Sequence, residues 1–150
     1  MFFFLALGVE AAMISFLVVE TGLPHEGGRN QHSTQWENML LDVFFEEGHI
    51  VSNSPVVRLD SKPAGEIQAA VESDVEEARN GGADYFIIAQ LDYTPDYQTP
   101  GEVSFVLFTL TPYKKIYEKR ITGKTYRSAR EETDDLKIIV RGLVPHLNAQ

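Results

Sequence analysis

A chain of 150 residues with an apolar share of 43% can build one domain around its own core, without disulfide or metal staples. Its formal charge of −9 argues against non-specific nucleic-acid binding, which needs a basic face for the phosphates. The absence of cysteine removes thiol catalysis, cysteine zinc sites, disulfides and lipid attachment through an N-terminal cysteine.

Residues 2–9 read FFFLALGV, and Val9-Glu10-Ala11 puts small residues at the offsets of signal cleavage. A cleaved, truncated signal peptide over residues 1–11 is expected, with residues 12–150 as a single domain. Its usual basic n-region is missing, since the first basic residue is Arg29. A membrane anchor over Met1–Val19 is a second reading, with Glu10 mid-run at a cost. A plain cytoplasmic N-terminus is a third. Met13–Glu20 (MISFLVVE) is rich in β-branched and aromatic residues and closed by Thr21-Gly22, which predicts a strand buried on both faces. The anchor would consume that strand.

A loop over Gly22–His32 follows, broken by Gly27-Gly28 and Asn30. Thr34 and Glu37 then have capping-box spacing. Trp36, Met39, Leu40, Val43 and Phe44 make an amphipathic helical stripe, which Gly48 stops. His49–Asn53 reads as a short edge strand, and Ser54-Pro55 and Asp60–Pro63 as turns. A second helix is expected over Ala64–Asn80, with a thin stripe of Ile67, Val71, Val75 and Ala78 and an acidic opposite side. Gly81-Gly82 ends it.

Asp84–Tyr93 (DYFIIAQLDY) and Val103–Leu110 (VSFVLFTL) predict two more strands buried on both faces, joined by a loop with Pro95 and Pro100. Lys115–Tyr126 reads as a long, charged edge strand. Ser128 and Glu131 form a second capping box, ahead of a helix whose apolar face holds Leu136, Ile139, Val140, Leu143, Val144 and Leu147. Pro145 is expected to fray or kink its end. The order is β-α-β-α-β-β-β-α. Three central strands, two edges and right-handed crossovers give an α/β fold, a three-layer α/β/α domain with a five-stranded mixed sheet. With strands counted along the chain, the expected order is 2-1-3-4-5, with three main helices on both faces.

Phe44-Phe45-Glu46-Glu47-Gly48-His49-Ile50-Val51 and Glu77-Ala78-Arg79-Asn80-Gly81-Gly82-Ala83-Asp84-Tyr85-Phe86-Ile87-Ile88 fit one pattern, a helix ending in G-A-D-Y before a buried strand. The pattern resembles the periplasmic domain shared by the TolB N-terminal region, the curli-secretion protein CsgG and the penicillin-binding-protein activator LpoB. It covers roughly residues 13–147 by element order. The resemblance implies a non-enzymatic envelope module that works through protein contacts, often as a lipoprotein and in one relative as a ring. Two departures matter: there is no lipobox cysteine, and no propeller such as TolB carries.

His25 and His32, with Glu26 between their loop positions, lack metal-ligand spacing, so no metal site and no cofactor are expected. Gly27-Gly28-Arg29-Asn30 precedes a helix but lacks a phosphate-loop pattern. No Gly-x-Ser-x-Gly elbow is present, and no catalytic residue is assigned. The loops 22–32 and 92–100 are expected to meet as one rim at the sheet's switch point, where Arg29, Tyr93, Asp96 and Tyr97 are candidate partner contacts. Seven of thirteen basic residues fall between Lys114 and Arg130, among them Lys115, Lys119, Arg120 and Lys124. One reading is a basic edge facing an anionic membrane or an acidic partner. The other is lysines that keep an edge strand from aggregating. The expectation is a periplasmic or exported interaction or assembly module with an envelope protein partner, possible oligomers and no nucleic-acid role. The alternative is a small-molecule-binding or regulatory domain using the switch-point crevice.

Overall fold

The expected first strand is β1 (Met13–Thr21), and it is buried along nearly its whole length. The protein is known here as a computed structural model, which describes residues 11–24, 26–59, 64–94, 96 and 99–147. Nearly all of the expected signal peptide, the turn at 60–63, His25 and Tyr97 lie outside the described residues. Side chains alternate across a strand, so β1 sends Ile14, Phe16 and Val18 into one apolar cluster and Leu17 and Val19 into another. An uninterrupted apolar run is what a strand covered on both faces requires.

Around β1 stand α1 (Gln31–Glu46), β2 (Ile50–Asn53), β3 (Val57–Leu59), α2 (Ala64–Ala70), α3 (Glu72–Asn80) and β4 (Tyr85–Tyr93). The chain closes with β5 (Pro100–Leu110), β6 (Tyr113–Thr122), α4 (Ala129–Arg141) and α5 (Val144–Leu147). The sheet runs β2-β1-β4-β5-β6, with β3 also paired to β1. That is the expected order with one added strand. β1 is parallel to β2, β3 and β4, whereas β4, β5 and β6 are antiparallel, so the sheet is mixed.

The added strand corrects the reading of five. β2 pairs with Met13–Phe16 and β3 with Val19–Thr21, so the two share one edge of β1 in succession. Three residues are too few to show an alternation. The second helix is also divided: the chain turns at Val71 (φ −106°, ψ 14°), between α2 and α3. The stripe survives the break, because Ile67, Val71 and Val75 are buried together against Phe86, Ile88 and Phe108. Trp36, Met39, Leu40, Val43 and Phe44 of α1 join Leu136 and Val140 of α4 on the other face. The three layers are therefore α1, α4 and α5, then the sheet, then α2 and α3.

The α1 start differs from the capping-box expectation. Asn30 is the N-cap, its side chain accepting from the His32 N–H at 2.9 Å. Asparagine caps as well as threonine does, and it comes first in the chain. Glu37 is thereby free to turn inward. At the second box Ser128 Oγ accepts from the Glu131 N–H at 3.1 Å, while the Glu131 carboxylate accepts from the Arg127 N–H, one residue before the cap, at 2.9 Å. The last helix is interrupted at Gly142-Leu143, with Pro145 in the short α5. β6 ends at Thr122, earlier than expected, so Lys124 and Tyr126 lie on an irregular segment before α4.

Candidate functional site

α1 and the α2–α3 pair leave opposite faces, so the switch point lies beyond the adjacent parallel ends of β1 and β4. The two expected rim loops do meet there. Gly22 has φ +79°, and a Cβ on it would stand 2.5 Å from the Tyr93 carbonyl oxygen. Thr21 Oγ1 donates to Asp92 Oδ1 at 3.0 Å. A buried ion pair lies beside this junction. Glu20, 2% exposed, faces Arg58 across the β1–β3 pair, and the guanidinium donates to it at 2.9 and 2.8 Å. Arg58 also donates to the carbonyls of Pro24 and Gly28, at 2.8 and 2.9 Å. One side chain thus pins the 22–30 loop over the switch point.

A cavity of about 320 Å³ sits between the start of α1, the first turns of α4 and the far ends of β5 and β6. Trp36, Val103, Ile121 and Ile139 form its apolar walls, one residue from each of four elements. Trp36 is itself held by Phe105, ring centroids 5.4 Å apart. The cavity has shape because Gly123 lets β6 close on the start of β5. A Cβ there would fall 1.7 Å from the Pro100 carbonyl oxygen.

Two acid-centred clusters edge this cavity. Glu132, 5% exposed, takes His32 Nδ1 at 2.5 Å, and the Gln35 amide, turned so that its nitrogen faces the carboxylate, donates to both oxygens. This fixes the imidazole and leaves Nε2 as its remaining polar atom, able to make a further hydrogen bond. Asp135 accepts from the Tyr126 hydroxyl at 2.7 Å and from Lys124 Nζ at 3.3 Å. The Tyr126 hydrogen bond, helped by Lys124 and opposed by partial burial, holds the Asp135 carboxyl below its ordinary range. Burial first, then the bond to Asp135, pushes the Tyr126 hydroxyl's ionisation up. Among the described residues, no three acidic or histidine side chains gather as a metal site.

Residues 13–131 match the sequence model of a family described as "uncharacterised protein". The chain belongs to that family. No curated protein sequence matches it significantly. In solved structures the fold recurs in the PelC dodecamer of Paraburkholderia phytofirmans, at 14% identity and a TM-score of 0.51, over 93% of this chain and 89% of that one. TolB from Acinetobacter baumannii matches at 14% identity and a TM-score of 0.48, over 93% of this chain and 29% of that one. The LpoB C-terminal domain from Escherichia coli matches at 14% and 0.45, over 79% and 87%. At these identities, PelC establishes a shared fold.

Within this family domain the candidate residues are dispersed. Arg29 is not a free anion contact, because Nη1 donates to Glu37 at 2.8 Å, and Glu37 also accepts from Asn53. Tyr93, expected on the exposed rim, is instead a core residue, 5% exposed, with its hydroxyl 2.7 Å from Ser33 Oγ. The alternation of β4 dictates this: Tyr93 follows Ile87, Ala89 and Leu91 onto the α1 face. Burial pushes its ionisation well up. Asp96 is exposed and accepts from Thr94 Oγ1. Lys115 and Arg120 are exposed on β6 around Glu118, at 2.9 and 3.7 Å. Lys119 is also exposed, with no ion pair among the described residues. Lys124 alone of the candidates borders the cavity.

Sequence reasoning missed Arg58, Glu132, Tyr126 and Asp135. No spacing rule joins positions 32 and 132, because their contact exists only once α1 and α4 lie side by side. Trp36 was legible, but only as a core residue of the α1 stripe.

Proposed function

We propose that this chain is an exported protein-interaction module of the bacterial cell envelope, acting by contact rather than catalysis and assembling with further copies of itself. The observation that carries the reading is the pair of unlike open edges of the sheet. At one edge β6 exposes Lys114, Lys115, Lys119 and Arg120. At the other, β2 exposes Ile50, at 57%, and α1 ends near it with Phe45, at 75%, and Glu47 exposed. A basic edge on one side and an uncharged β2 edge on the other favour a head-to-tail contact, and such a contact repeats from copy to copy. The fold shared with the PelC dodecamer supports self-assembly. The G-A-D-Y resemblance to periplasmic modules supports the envelope setting. Among the described residues no helix is long and apolar enough to cross a membrane.

The test is light scattering on size-exclusion peaks of the domain and of the double variant Lys119→Glu with Arg120→Glu. The wild type is expected to run as an assembly and the variant as a monomer with unchanged circular dichroism. A wild type that stays monomeric at every concentration tried would overturn self-assembly. Detection of the protein only in the cytoplasm by fractionation would overturn the envelope setting.

A further inference from the structure

We propose that the cavity between α1, α4 and the ends of β5 and β6 binds a compact, neutral aromatic molecule carrying one hydroxyl or amide. Its volume of about 320 Å³ is in the range of small-ligand sites. Trp36, Val103, Ile121 and Ile139 come from four different elements, so the apolar box is fixed by the fold rather than by a loop. An aromatic body would extend the existing Trp36–Phe105 contact.

The charges at the mouth select against ions. Glu132 already holds His32 and Gln35, and Asp135 already holds Tyr126 and Lys124. An anionic ligand would face both carboxylates. A cationic one would have to displace donors that are in place. His32 and Thr122 line the cavity, and their Nε2 and hydroxyl, outside those pairings, suit a head group that both donates and accepts. This site is separate from the Glu20–Arg58 pair at the switch point, and it does not depend on the edges invoked for self-assembly.

Trp36 is the sole tryptophan, so its fluorescence reports on the cavity wall directly. The whole chain is titrated with p-cresol, and with phenylacetate and benzylamine as charged analogues, while Trp36 emission and the thermal midpoint are followed. We expect a saturable emission change and a raised midpoint with p-cresol, with both ions at least about tenfold weaker, a margin of about 1.4 kcal/mol. Ile139→Phe, which fills the cavity, should abolish the p-cresol response. If that variant loses its native circular dichroism, Ile121→Phe takes its place. An absent p-cresol response, an ion bound as tightly, or full binding by a folded filled variant would each overturn the proposal.

Discussion

Arg58 shows how much one side chain can settle at the switch point. Its guanidinium makes both the buried pair to Glu20 and the two carbonyl contacts that hold the 22–30 loop. Removing one partner of such a pair leaves a charge buried without compensation. Arg58→Ala should therefore lower the unfolding free energy by about 3–5 kcal/mol in urea denaturation. Arg58→Lys should recover only part of this, because an ammonium cannot reproduce the guanidinium's fork of donors. Asp135 gives a pH prediction at the same scale. Its folded-state pKa is lowered, so its contribution is present above the unfolded value and is lost as pH falls through the folded one. Stability measured from pH 6 downward should thus fall in the wild type below about pH 4, the ordinary carboxylate range. That part of the acid slope should be missing in Asp135→Asn and reduced in Tyr126→Phe. An unchanged slope in both variants would remove the assigned role of the Tyr126–Asp135 bond.

The ends of α1 and α4 test how local chemistry fixes an element. Ser128 is a cap with a side-chain bond to the Glu131 N–H, so Ser128→Ala should cost about 1 kcal/mol by chemical denaturation. Thr34→Ala should cost much less than Asn30→Ala, because Asn30 and not Thr34 caps α1. The same contrast explains what was legible in the sequence. Stripes such as Trp36-Met39-Leu40-Val43-Phe44, and long apolar strands such as Tyr85–Tyr93, repeat over enough residues for their period to show. The strand order followed from them with right-handed crossovers alone. β3 did not show, because three residues carry no period, and its place depends on β1 running beyond the end of β2. Tyr93 misled for a related reason: its neighbours Thr94 and Pro95 signal a loop, while the pleat of β4 decides where its ring points. The cavity was the least legible feature. His32 and Glu132 are far apart in sequence and meet only through tertiary packing.

For the molecule as a whole, the charge of −9 poses a problem that self-assembly has to solve, since identical acidic copies repel. The sheet supplies a local answer, because its basic residues gather at β6, while β2 at the other edge (Ile50-Val51-Ser52-Asn53) carries no charge. Two effects of salt then oppose each other. Screening relaxes the overall repulsion between copies, which would strengthen association. It also weakens the attraction between the basic β6 edge and an otherwise acidic neighbour, where the charges are exposed and gain little protection from burial. Glu46 is already held by Lys137 and Arg141 of α4, so it makes a poor probe of that attraction. Lys119 is the better gauge, as an exposed lysine with no ion pair among the described residues. If charge attraction at the β6 edge holds the copies together, sedimentation velocity should show the assembly shifting toward monomer as salt rises from about 0.05 to 0.5 M, a range over which the Debye length shrinks to a few ångströms. Lys119→Glu should already be monomeric at the low end. The opposite trend, tighter assembly at high salt, would instead assign the contact to Phe45 and Ile50, and Phe45→Ser would then be the variant that dissociates it.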